Sequence, residues 1–167
     1  MSNTNAQQAP IDWDCRFAEL RGHLEAGGTM AAWGEVDPAM MDGMYTLGRY
    51  FYEHDDYDNA GQLFAWIVGM DPYNRDFTFS LGATRQMQGR YEDALEWLAT
   101  SLAFDITDPA PAFHMAQCLL KLGKGAEARE MLEISLNYAK EETHPELRGQ
   151  VQNLLSLLPV TAAPAAK

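Results

Sequence analysis

From Ile11 onward, apolar residues recur at steps of three and four, the spacing that places them on one face of a helix. Trp13, Phe17, Leu20 and Leu24 make the first such stripe, and Gly27-Gly28 ends it. Thr29 is placed to cap a short second helix over TMAAWGEV, which runs out at Asp37-Pro38. Paired stripes follow. Met44, Leu47, Gly48 and Phe51 share one helix face, and Ala60, Phe64 and Ile67 share the face opposite. Gly48 and Ala60 lack bulk, so these two helices can approach closely. Asp71-Pro72 breaks the second of them. The same layout returns with Leu81, Gly82, Ala94, Leu98 and Leu102, and again with Met115, Ala116, Leu119, Ala128 and Leu132. Gly89 and Gly123 each stand just past a helix end, where a left-handed stop suits glycine. Pro109 and Pro111 open the third pair from its first turn. Beyond His144-Pro145, Leu147, Val151, Leu154, Leu155 and Leu158 mark a last helix whose other face is Gln150, Gln152, Asn153 and Ser156.

The pairs repeat with a step of 34 residues: Ala60, Ala94 and Ala128 are so related, as are Leu47-Gly48, Leu81-Gly82 and Met115-Ala116. That period, with small and large apolar residues at fixed places, belongs to tetratricopeptide repeats. The expected fold is all-α: three tandem repeats at about 41–74, 75–108 and 109–142, forming a helix–turn–helix superhelix. N-terminal helices flank it on one side and a capping helix at about 145–158 closes the other, since a stack needs an end with a wet face. The folded unit is expected over 11–158, with 1–10 and the low-complexity tail 159–167 disordered.

Such stacks bind other proteins more often than they do chemistry. The interior needs the fourth, seventh, eighth and eleventh positions of each first helix, but the fifth is aromatic three times, as Tyr45, Phe79 and Phe113. Seven residues further, on the same face, stand Tyr52, Gln86 and Leu120, and Arg49, Ala83 and Gln117 lie beside the stripe. First helices line the inner curve of this architecture. These residues, with Met87, are therefore expected to line a groove suited to an extended peptide with apolar anchors. Soft methionine would let it adapt to more than one ligand.

Charge narrows the partners. The 167 residues carry 24 acidic and 12 basic side chains, a formal net charge of −12. An anionic surface repels nucleic-acid backbones and anionic membranes, so neither is expected as a partner. A carboxylate clamp of several Lys and Arg is disfavoured too: only Arg49 and Lys121 supply positive charge at the positions it would use, and Asp42 and Asp76 add the opposite sign. Two cysteines, Cys15 and Cys118, suit a reducing compartment, and the uncharged start of the chain lacks the pattern of a secretory signal.

Several segments also resemble a known family. GGTMAAWGEV, MYTLGRYFYEHDDYDNA, DPYNRDFTFSLGATRQMQGRYEDAL and DITDPAPAFHMAQCLLKLGKGAEA are similar to the class II chaperones of type III secretion, which hold hydrophobic translocator proteins. The resemblance runs from about Gly28 to Leu158; residues before Ala26 match poorly. It implies a bacterial cytoplasmic homodimer, joined through the N-terminal helical region. It implies a groove that takes an N-terminal translocator segment in extended form and keeps the client soluble before export. Tyr45, Tyr52 and Phe79 fall where the family has groove aromatics, and Arg49 where many members have an apolar aromatic.

Other chemistry finds little support. His114 and Cys118, four apart on one helix, would be half a metal site with no second half at a matching spacing, and a core position is the simpler reading. Leu122-Gly123-Lys124-Gly125 lacks the distal glycine and the hydroxyl of a phosphate loop. Asp55, Asp56 and Asp58 lack the glycine and glutamate of a calcium loop. No cofactor, metal or catalysis is expected. A generic repeat adaptor, or a co-regulator acting through a transcription activator, remains open on the residues alone.

Overall fold

The structure, a computed structural model, describes residues 12–158, apart from the side chain of Trp13. The disorder expected for 1–10 and 159–167 concerns residues outside that range. The described residues form helices joined by short turns, without strands. They are α1 (Trp13–Glu25), α2 (Met30–Trp33), α3 (Pro38–Glu53), α4 (Tyr57–Met70), α5 (Arg75–Met87), α6 (Tyr91–Phe104), α7 (Pro109–Lys121), α8 (Gly125–Tyr138) and α9 (Pro145–Leu157).

Local chemistry sets these boundaries. Asp12, Thr29, Asp37, Asp56, Asn74 and Asp108 each accept a hydrogen bond from a backbone N–H of the helix they precede. Proline occupies the first turn of α3, α7 and α9, where its missing N–H is not needed. Gly89 and Gly123 both stop their helices at a φ of 75°. At the corresponding place in the first repeat the chain uses Asp55, at a φ of 60°. Aspartate tolerates that conformation better than most side chains, and the Asp55 carboxylate accepts a hydrogen bond from the Tyr57 hydroxyl.

The helices pack as antiparallel pairs, α3 on α4, α5 on α6 and α7 on α8, each pair against the next, with α9 against α8. Ala60, Ala94 and Ala128 are fully buried where the two helices of a pair cross. A Cβ on Gly48 would stand 2.7 Å from the Phe64 ring, and one on Gly82 would stand 2.8 Å from Leu98 Cγ and 3.1 Å from its backbone nitrogen. The third pair admits Ala116 at the same position. In the second and third pairs a buried serine ties the helices together: Ser101 Oγ donates to the Arg75 carbonyl at 3.3 Å, and Ser135 Oγ to the Pro109 carbonyl at 2.9 Å. The first pair has buried Ile67 and Met41 at those places instead.

At the far end two arginines cross between helices. Arg129 of α8 donates to the Leu155 and Leu158 carbonyls at the end of α9. Arg148 of α9 donates to the Leu136 and Ala139 carbonyls at the end of α8. Each supplies donors to carbonyls that a helix end leaves open.

The stripe expected to face the interior of the first repeat does not do so throughout. Leu47 is 46% exposed, whereas Leu81, its counterpart one repeat later, is 1% exposed. Leu81 packs against Phe64 and Ile67 of the preceding pair. Among the described residues no full pair precedes α3: α1 packs on α2, and α2 reaches α4.

Candidate functional site

A pocket of about 410 Å³ opens between α3, α5 and α7. Its walls are Tyr45, Arg49, Tyr52 and Glu53 from α3, Phe64 from α4, Phe79, Ser80 and Ala83 from α5, and His114 from α7. The helical repeat explains the set: residues 45, 49 and 52 lie on one face of α3, as 79 and 83 do on α5. Tyr45 is held by rings on two sides, with centroids 5.9 Å from Phe64 and 5.5 Å from Phe77. Its hydroxyl accepts from Ser80 Oγ at 3.4 Å. Tyr52 meets Tyr57 edge-on at 5.4 Å, and burial pushes its phenol above the ordinary range. Arg49 pairs with Glu53 at 3.0 Å, and both remain exposed, so the pair neutralises the rim and contributes little to stability.

The ten residues singled out from the sequence are therefore distributed unevenly. Tyr45, Arg49, Tyr52, Phe79 and Ala83 share this pocket. Gln86 and Gln117 continue the wall between α5 and α7, with Gln86 Nε2 donating to Gln117 Oε1 at 2.7 Å. Met87 is 48% exposed at the end of α5, and Leu120 packs half-buried on the core of the third pair. Phe113 departs from expectation. It is only 6% exposed and belongs to that same core, with Ala116 and Leu119.

The reason lies in the next residue. His114 takes the place on the pocket wall, edge-on between Phe79 at 5.3 Å and Phe113 at 5.9 Å. The core reading holds fully for Cys118, four residues on, which is sealed and whose thiol burial pushes up to about 11, and in part for His114, which is half-buried and keeps an edge on the pocket. The two do not make a joint site, and no group of three potential metal ligands occurs among the described residues. A signal for His114 existed. Thr46, Ser80 and His114 stand one repeat apart, each polar and each following the aromatic stripe, and two of the three line the pocket.

Comparison with known proteins places this geometry. The family model of the anaphase-promoting complex, cyclosome, subunit 3 matches residues 53–134, from the end of α3 into α8. The solved Yersinia enterocolitica type III secretion chaperone SycD, in complex with a peptide of the translocator YopD, superposes with a TM-score of 0.71 at 30% identity, covering 74% of this chain and 95% of that one. The low calcium response locus protein H of Yersinia pestis is 30% identical over 153 residues, which covers 91% of each chain. The chain belongs to the type III secretion translocator chaperones. A type III secretion complex from Aeromonas hydrophila gives a TM-score of 0.79 at 29% identity, covering 84% of this chaperone and 94% of that chain. No helix among the described residues of the chaperone is long and apolar enough to cross a membrane.

Proposed function

We propose that this chaperone acts in the bacterial cytoplasm without enzymatic activity. It holds an extended N-terminal segment of a hydrophobic translocator protein in the groove between α3, α5 and α7, and keeps the client soluble until export. One observation carries the reading: an open, ring-lined pocket of about 410 Å³ stands in a chain 30% identical to a chaperone solved with a translocator peptide. Its lining suits the task. Tyr45, Tyr52 and Phe79 offer apolar area to an anchor side chain, and Arg49 is already balanced by Glu53. The net charge of −12 helps keep a complex with an apolar client in solution.

The active form proposed is a homodimer. Phe17 and Leu24 on α1 and Leu47 and Tyr50 on α3 are all exposed, and a second copy docking at the N-terminal helices would cover apolar area there. Co-expression with a hydrophobic translocator protein tests the chaperone reading. The client should stay soluble and co-purify. Tyr52→Ala or Phe79→Ala should weaken the complex by about 1–3 kcal/mol, the scale of a buried aromatic anchor, with helicity kept. Normal client binding by folded double variants would refute the groove.

A further inference from the structure

One ring in the pocket has its hydrogen-bonding state set from behind. His114 Nδ1 lies 2.6 Å from Gln86 Oε1, across the gap between α7 and α5. Gln86 uses its amide nitrogen on Gln117 Oε1, so its oxygen is the atom turned to the histidine. An amide oxygen accepts and never donates. With the two amides in this orientation, Nδ1 carries the ring proton and Nε2 is left with a lone pair. Among the described residues His114 makes its hydrogen bond through Nδ1, and no buried polar side-chain atom goes without a partner. Nε2 is therefore not sealed in the core, and its ring stands on the wall of the pocket.

We infer that His114 Nε2 accepts a hydrogen bond from one backbone N–H of the segment held in the groove, and so fixes the register of that segment and excludes proline at one position. The inference rests on the groove reading above. Apolar rings can hold side chains, but they do not choose among registers that offer similar bulk. An extended segment presents backbone N–H groups at every second residue toward one side, and any that enter an apolar pocket lose water unless met by an acceptor. His114 supplies that acceptor. The Tyr45 hydroxyl, which accepts from Ser80, keeps its own proton to offer to a neighbouring carbonyl. Proline has no N–H to give and would leave Nε2 unanswered. Burial lowers the tendency of His114 to take up a proton, which keeps the acceptor available at neutral pH. Gln86 is the positioning residue: its Oε1 faces Nδ1 and holds the tautomer.

The test uses the full chain and, as probe, the YopD peptide that SycD binds, synthesised with single N-methyl groups at successive positions and titrated calorimetrically. One N-methyl position should weaken binding about fivefold, the scale of one net hydrogen bond. His114→Phe, which keeps a ring but no acceptor, should weaken the parent peptide by a similar factor and be indifferent to N-methylation at that position. An N-methyl profile identical in the two proteins overturns the inference and leaves the groove reading standing. Absence of parent-peptide binding by both proteins overturns the two together. Long-range nitrogen–proton NMR of the unliganded wild-type chain gives a separate answer that depends on neither peptide nor variant. Protonated Nδ1 with bare Nε2 supports the inference; the opposite tautomer overturns it.

Discussion

Leu47 and Leu81 hold the same place in successive repeats, yet one is 46% exposed and the other 1%. Their helices carry the same small-residue crossing, Gly48 under Phe64 and Gly82 under Leu98. The difference is what lies on the N-terminal side. Leu81 meets Phe64 and Ile67 of a complete helix pair, while α3 is preceded by α1 and α2, which pack on each other and of which α2 reaches α4. A repeat thus encodes a face, and a neighbour turns that face into core. The end of the stack keeps the face of a core without the burial, which is the surface a second copy can use.

The contrast can be broken most directly by truncation. Leu81→Ala should destabilise the chain by about 2–5 kcal/mol, the cost of a cavity in a packed site, and Leu47→Ala by less than about 1 kcal/mol. Denaturant unfolding of the dilute monomer checks both; similar losses would mean that Leu47 is covered after all. A second comparison concerns the two glycines. Gly82→Ala must displace Leu98 together with its backbone, whereas the nearest atoms to a Cβ at Gly48 all belong to the Phe64 ring. We expect about 1–3 kcal/mol for the former and a smaller loss for the latter, read as midpoint shifts in the same experiment.

The serine ties sharpen the comparison further. Ser135→Ala removes the donor to the buried Pro109 carbonyl and should cost about 1–2 kcal/mol. The first pair, built with Met41 and Ile67 at those places, has no such bond to lose. Acidity should have the smallest effect. Burial holds His114 below the ordinary histidine range, while Asp108 at the start of α7 pulls weakly the other way. The unfolded chain then binds more protons than the folded one as pH falls through the ordinary value of about 6.5, so stability is lost in that direction. Thermal unfolding at about pH 7.5 and about pH 5.5 should show a smaller drop for His114→Phe than for the wild type.

Much of the architecture was legible because its causes are local. The step of 34 residues, the crossing alanines and the stops at Gly89 and Gly123 all follow from steric demands that residue type reveals directly. Asp55 in the left-handed region was less visible, since aspartate does many other things at turns. The pocket was legible in part for the same reason. Tyr45, Tyr52 and Phe79 share helix faces by spacing alone. Phe113 shared that spacing too, yet it packs with Ala116 and Leu119 in the core of the third pair, and spacing does not carry that. His114 then stands where Phe113 was expected, and only the arrangement of Phe79, Phe113 and Gln86 around it identifies its role.

The crossed arginines at the other end have a mechanical consequence. Because Arg129, near the start of α8, grips the tip of α9 while Arg148, near the start of α9, grips the tip of α8, neither tip can fray without giving up the donors that the other helix supplies to its carbonyls. The pair should melt as one unit, so the stack is latched at its C-terminal edge and open for company at its N-terminal one.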